Sequence, residues 1–423
     1  VFPSRPILPG SARVATLGAV IAVGVPFALA GPASAAAPPA QPSGPGAAQP
    51  DSSATPDVVD APVPAGPPAA VAWTEGRRVR VSAPGSAPRT VARLGRVRPE
   101  AAQLSLSRDG RHLVVVGDEG TTDLPIAAGG RPVRLADSFG EGASGVRWSP
   151  DSRRLLLVQG SIVRCAVEPT ASCTPTGVTR AVGEFGASWS PDGTRFAYIR
   201  SHRSKTAPDT ELGDLVTVPA TGQGATQVVE RAVFGTRERT YPTPPVWTRA
   251  GLAFTVYGER VSASGADGEP TAVGPSRVRT RILGPDGRVR TLTAAAPGRG
   301  ELLPFLASAD SPSGRLLGLQ AVVQRGAGTD PDAPRLRFAL RTLGSDGSLA
   351  PYGVSFADHG SRTDEVLGVL ADGRVAVRTI GRGGFGPASL RFVTPGAPGR
   401  GATVAKGSAV SAAVAYPNDA LSF

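Results

Sequence analysis

Val146–Val158 reads VRWSPDSRRLLLV, Ala187–Arg200 reads ASWSPDGTRFAYIR, and Leu104–Val116, LSLSRDGRHLVVV, is a third copy of the same plan. Each opens with a short apolar strand ending in Ser. It then turns through Arg or Pro, Asp and Gly or Ser, and returns as a strand of Val, Leu, Ile, Phe or Tyr. Strand formers on either side of turn formers make a β-hairpin. Ser107 to Ser149 is 42 positions and Ser149 to Ser190 is 41, within the ~40–45 residue period of four-stranded propeller blades. The expected fold is therefore all-β, a β-propeller.

The turn explains the recurring residue types. Pro150 and Pro191 preset φ for the first corner of a type I turn, and Asp151 and Asp192 can accept hydrogen bonds from the turn backbone. Gly193 can take the left-handed position that lets the second strand pair, a slot Ser152 fills less comfortably. Trp148 and Trp189 share one phase ahead of the turn, where a large ring fills the wedge between adjacent sheets. The functional alternative is an exposed aromatic platform for sugars or bases.

These S-P-D-G hairpins resemble those of the TolB-type, WD-repeat-like β-propellers, over about Val71 to the C-terminus and most strongly from Leu104 to Arg200. The resemblance implies the fold. It leaves function open, because such propellers serve as periplasmic interaction modules, as lids of serine peptidases and occasionally as lyases.

Ahead of the repeats, Arg5 and Arg13 precede an apolar run from Val14 to Ala30, followed by Pro32-Ala33-Ser34-Ala35. This order predicts a secretory signal peptide over 1–35, cleaved after Ala35, with an uncleaved signal anchor as the alternative and the only expected link to a membrane. Residues 36–69 are almost wholly Ala, Pro, Gly, Ser and Asp and predict a disordered linker. Residues 70–423 form the propeller domain, expected as a monomer. Inner hairpins are legible at six places: Leu104–Val116, Val146–Val158, Ala187–Arg200, Val246–Tyr257, Phe305–Val323 and Val366–Ile380. Outer hairpins are legible at seven: Arg78–Leu94, Leu124–Leu135, Ile162–Val178, Leu215–Val229, Val278–Thr293, Leu336–Val354 and Leu390–Val404. Seven blades reconcile the two counts if the blade opening at Val71 borrows its innermost strand from Asp419–Phe423; otherwise a six-bladed ring is the alternative.

Cys165 and Cys173 are the only cysteines. In an exported chain a close pair within one hairpin predicts a local disulfide, with Cα atoms ~5.5–6 Å apart. The net charge of +11 comes from 45 basic against 34 acidic residues. It fits an anionic envelope polymer or an acidic envelope protein as partner, or the codon bias of a GC-rich, actinobacterial-like genome. Nucleic acid is not expected, since export removes the chain from it and no recognition motif occurs.

No catalytic set, cofactor site or metal site is legible. Gly381-Arg382-Gly383-Gly384-Phe385-Gly386 matches G-x-G-x-x-G, but a strand-like run follows it instead of the helix a pyrophosphate needs. G-x-S-x-G is absent. His112, His202 and His359, the only histidines, lack ligand-like spacing, and Asp330-Pro331-Asp332 falls short of a calcium cage. The rim that carries second-to-third-strand loops and blade-to-blade connections holds the insertions, including Ser201–Gly213 and Ala232–Thr243. His202, Arg203, Lys205, Arg237, Arg239 and Tyr241 on these two loops are the candidate binding residues. The expected function is a non-enzymatic binding module of the cell envelope. The alternatives are a lactonase- or lyase-like enzyme acting on a small molecule or glycan in the central channel, and a purely structural tether.

Overall fold

The computed structural model describes residues 61–414 except 84, 96–101, 118–119, 138–144, 182–185, 206–210, 235–237, 243–244, 249, 263–270, 276–277, 296–307, 311–315, 325–334, 345–348, 358–361, 371, 382–387, 398–400 and 408–410. The signal peptide, Asp330-Pro331-Asp332, His359, Arg382–Gly386 and the terminal Asp419–Phe423 lie outside the described residues.

Thirty strands form seven antiparallel sheets. Blade 1 is β1 (Val71–Glu75), β2 (Arg78–Ser82) and β3 (Arg89–Arg93), completed by β30 (Ala412–Val414). Blade 2 holds β4 (Gln103–Leu106), β5 (Leu113–Gly117), β6 (Gly120–Leu124) and β7 (Val133–Asp137), and blade 3 holds β8 (Gly145–Trp148), β9 (Arg154–Gln159), β10 (Ser161–Ala166) and β11 (Ser172–Thr179). Blade 4 is β12 (Ala187–Trp189), β13 (Arg195–Arg203), β14 (Glu211–Pro219) and β15 (Gln227–Phe234). Blade 5 has six strands: β16 (Glu238–Pro242), β17 (Val246–Thr248), β18 (Gly251–Ser262), β19 (Thr271–Pro275), β20 (Val278–Leu283) and β21 (Val289–Ala295). Blade 6 is β22 (Ser308–Asp310), β23 (Leu316–Gln324), β24 (Arg335–Leu343) and β25 (Leu349–Ala357), and blade 7 is β26 (Arg362–Val369), β27 (Val375–Gly381), β28 (Ala388–Val393) and β29 (Ala402–Gly407).

Each blade is buried on both faces, which is why its inner strands are continuous apolar runs. In β5, Leu113 and Val115 join the layer shared with Ala72, Val79 and Val91 of blade 1, whereas Val114 and Val116 join Val146, Leu155 and Leu157 of blade 3. The two-residue strand period sorts neighbours in the sequence into different layers. Similar layers lie between the later blades. One more, joining Val71 and Trp73 to Leu370, Ala376 and Leu390, couples blade 7 to blade 1 and closes the ring.

The closing strand is not the expected one. Val71, Ala72 and Trp73 pair with Val414, Ala413 and Ala412, and Ser411 N donates to Thr74 Oγ1 at 3.0 Å while Thr74 N donates to Ser411 O at 2.9 Å. The two chain ends do share blade 1, but Ala412–Val414 takes the place assigned to Asp419–Phe423. Small side chains suit this position, where Ala413 is buried with Ala72.

The repeated turns knit one lower rim. Ser107, Ser149 and Ser190 donate from Oγ to Asp109, Asp151 and Asp192 at 2.7, 2.5 and 2.6 Å. Each hydroxyl also accepts the backbone N–H that opens the next strand, from His112, Arg154 and Arg195. The Ser190 hydroxyl and the Thr194 N–H hold the Asp192 carboxyl below the usual carboxylate range. Burial opposes ionisation of Asp151, but Ser149, the Arg153 N–H and Arg154 outweigh it and also leave it low. Gly193 takes the left-handed turn position at φ 67° and Ser152 does so at φ 59°. Ser152 has a compensation glycine could not supply: its Oγ accepts Asp109 N at 3.1 Å, tying the turn of blade 3 to that of blade 2. Trp148 and Trp189 are both 1% exposed, and their indole N–H groups donate to Ser105 O at 3.4 Å and Arg147 O at 2.9 Å of the preceding blade.

Residues 61–69, assigned above to the linker, are instead a strap across the lower rim. Val63 is buried and bridges Gly130, and Ala69 N donates to Gly110 O at 2.7 Å. Arg89 holds the strap by donating to Pro64 O at 2.7 Å while also reaching Ile126 O of blade 2 at 2.6 Å. A Cβ on Gly110 would stand 2.0 Å from Ala69 O, so only glycine admits the strap there. Composition hid this segment because backbone groups and Val63, rather than an apolar run, provide the docking.

Candidate binding rim

The second strand of each blade runs from the lower rim to the upper. It has five or six residues in β1, β5 and β9, but nine in β13, twelve in β18, nine in β23 and seven in β27. At about 3.3 Å per residue, β18 rises roughly 20 Å beyond β1. Blades 4 to 6 therefore raise a wall on one side of the upper rim.

The wall is hydrogen-bonded sheet, which corrects the loop assignment. Within Ser201–Gly213, residues 201–203 and 211–213 belong to the extended β13–β14 ladder, paired to Arg203↔Glu211. The upper half of β18 is flanked by β16, through Glu238↔Arg260 to Pro242↔Val256, and by β19, through Glu259↔Pro275. Blade 5 thus carries a second tier above its ordinary four strands. His202 and Arg203 lie on β13, Lys205 just beyond it, and Arg239 and Tyr241 on β16, while Arg237 lies outside the described residues.

At the blade 3 side of this wall a buried carboxylate gathers cations. Phe196, Tyr198, Arg200 and His202 alternate along one face of β13, and the first two pack into the layer shared with blade 3. Asp214, opposite Arg200 in the register, is 3% exposed. Its oxygens stand 3.8 Å from Arg200 Nη2, 3.3 Å from His202 Nε2 and 3.9 Å from Arg231 Nη1. His202 Nδ1 lies 3.2 Å from Arg203 O. Behind the cluster, Ser201 N donates to Arg180 O at 2.8 Å and fixes β13 on blade 3. Toward blade 5, Glu230 Oε1 pairs with Arg281 Nη1 at 2.5 Å.

Arg200 and Arg231 against the single Asp214 carboxylate leave a local excess of positive charge, and the exposed Arg203 and Lys205 follow next along the chain. Asp214 fixes the position of the cations from below, and the side chains remain open above: that of Arg231 is 79% exposed. Guanidinium groups held at nearly 4 Å keep donors available for a second anion. Of this cluster the sequence reading named His202, with Arg203 and Lys205 next to it along the chain. It missed Asp214, Arg200 and Arg231. Their signal was available in strand alternation, which places Arg200 and His202 on one face once β13 is extended past Arg200. Among the described residues, no three His, Cys, Asp or Glu side chains gather as a metal site, and no helix is long and apolar enough to cross a membrane.

The architecture is a seven-bladed β-propeller, established by its own seven sheets and closed ring. No family model and no curated sequence matches the chain. Similar solved structures include a TolB protein from Agrobacterium tumefaciens, at 16% identity and TM-score 0.35, covering 69% of this chain and 91% of that one. The β-propeller domain of Cps50 (Swd1) from Myceliophteria thermophila shares 14% identity at TM-score 0.44, over 77% of this chain and 88% of that one. The tricorn protease shares 12% at TM-score 0.45, over 81% of this chain but 35% of that one.

Proposed function

We propose that this propeller is an exported, non-enzymatic binding module of the cell envelope that receives an acidic partner on the raised upper rim of blades 4 to 6. The observation that carries the reading is the Asp214 cluster: a buried carboxylate presenting Arg200, Arg231 and His202 at the edge of a rigid wall. A hydrogen-bonded wall loses less conformational freedom on binding than loops would, so more of the interaction energy remains as affinity. The Cys165–Cys173 disulfide fits an oxidising compartment. The possible partners narrow by charge to a polyanion or an acidic protein face, since the exposed excess is cationic.

Arg203 and Lys205 are exposed and lie outside the apolar layers, so their charge can be reversed without disturbing the core. In the test, wild-type protein and R203E/K205E are passed over immobilised poly-L-glutamate and over envelope extract at rising salt. Wild type should be retained on both, and the variant should elute at lower salt with unchanged thermal stability. Equal retention of the two proteins would refute the assignment of the rim.

A further inference from the structure

A second charged cluster joins blades 2 and 3 at the lower rim. His112, directly before β5, is 6% exposed. Its Nδ1 lies 3.0 Å from Asp123 Oδ2 on β6, and its Nε2 lies 3.1 Å from Glu168 Oε1, which comes from blade 3. The Trp148 ring stands 6.2 Å away, and Ser107 Oγ accepts the His112 backbone N–H. With a carboxylate on each ring nitrogen, only the doubly protonated imidazolium donates to both. Burial alone would lower the His112 pKa, but the hydrogen bonds and charges of Asp123 and Glu168 outweigh it and lift the value to about 9. Those two are the charged groups facing the ring; Ser107 and Trp148, on its other sides, do not titrate.

The two carboxylates are held very differently. Asp123 is a buried residue of the same blade, whereas the Glu168 side chain is half exposed. Glu168 stands inside the loop that Cys165 and Cys173 close, directly across the β10–β11 ladder with Cα atoms 4.0 Å apart, closer than the sequence expectation. Val167 N donates to Arg153 O at 2.9 Å, so the residue before Glu168 is tied to its own blade while the carboxyl reaches across.

We propose that the Cys165–Cys173 loop is a thiol-operated latch, which in its disulfide form holds Glu168 on His112 and so clamps blade 3 to blade 2, and which releases Glu168 on reduction. Cys165 is buried and Cys173 is partly exposed, so Cys173 is the more open of the two to a reductant. A thiolate of a dithiol attacks it, breaking the disulfide and forming a mixed disulfide as Cys165 leaves as thiolate. The second dithiol thiolate then displaces Cys173. Two electrons pass to the protein, both cysteines take up protons, and the reductant departs as its cyclic disulfide.

The three histidines of the chain make the test direct. Imidazole resonances of the full protein are followed against pH by NMR, with His112 assigned by its loss in H112N, before and after treatment with dithiothreitol. Oxidised protein should give a His112 midpoint near 9, and reduction should move it down toward 6.5. E168Q, kept oxidised, should lower the midpoint by a similar amount, and reducing E168Q should add little. An unchanged His112 midpoint on reduction overturns the latch, as does an E168Q midpoint equal to wild type. Collapse of all histidine resonances to random-coil positions on reduction overturns it too, since the disulfide would then be a global staple.

Discussion

Replacing Trp189, Trp148 and Trp247 one at a time by Phe weighs the same repeat position in three blades. Trp189 is fully buried and donates to Arg147 O at 2.9 Å. Removing the indole N–H forfeits about 1 kcal/mol and leaves a buried carbonyl short of a partner, at roughly 1–3 kcal/mol for the unsatisfied group. The lost ring volume adds a fraction of the ~3–5 kcal/mol of a full Trp truncation. The guanidinium of Arg154, 5.5 Å from the ring, also loses its better π face. W189F should therefore cost about 3 kcal/mol. Trp148 is as buried, but its bond to Ser105 O is 3.4 Å, so W148F should cost about 2 kcal/mol. Trp247 is partly exposed and its indole N–H has no hydrogen-bond partner among the described residues. Instead its backbone N–H donates to Ser188 Oγ at 3.1 Å, which Phe preserves. W247F should cost about 1 kcal/mol or less. Urea unfolding of the full chain by circular dichroism measures all three. A ranking with W247F at or above W189F, or W189F within about 0.5 kcal/mol of wild type, would refute the wedge reading and favour an aromatic platform.

Two further outcomes test the joints between blades. His112 has its folded pKa raised from 6.5 to about 9, so its contribution is complete below pH 6.5 and is lost as pH climbs through 9. The 2.5-unit difference sets an upper bound of about 3 kcal/mol, reduced by the upward push that burial gives Asp123. The urea midpoint should accordingly fall between pH 7 and 9.5 in wild type and stay nearly level in H112Q; parallel profiles would dismiss the clamp. Thr74 is fully buried and accepts Ser411 N, so T74V should lose about 1–3 kcal/mol while T74S keeps wild-type stability, and equal melting of T74V and wild type would place ring closure elsewhere.

Blades 2 to 4 were legible because their turns advertise themselves: Ser107, Asp109 and Gly110, or Ser190, Pro191, Asp192 and Gly193, each perform a stated task in the turn. Ser152 looked like a poor Gly because its use, accepting Asp109 N, belongs to the neighbouring blade. The closing strand was hidden for a related reason. Ala412-Ala413-Val414 has neither turn residues nor bulk, and its meaning comes from Val71–Trp73 at the other end of the chain. Residues 238–242 read as part of a loop because ERTYP lacks a clean apolar alternation; the long edge of β18 supplies its ladder. For the rim, charge and histidine drew attention to His202, Arg203 and Lys205, but the acid that organises them, Asp214, is buried within a strand and carries no local motif.

The pairing of β1 with β30 has a consequence for assembly. Blades 2 to 7 each draw their strands from one continuous stretch, whereas Thr74 and Ser411 are 337 positions apart. During synthesis from the N-terminus, six blades can form while blade 1 still exposes the apolar inner edge of Val71, Ala72 and Trp73. An open edge of this kind is a template for any matching strand. In a concentrated population of nascent chains, the β30 of one molecule can complete the blade 1 of another, and reciprocal exchange gives a strand-swapped dimer of two complete rings.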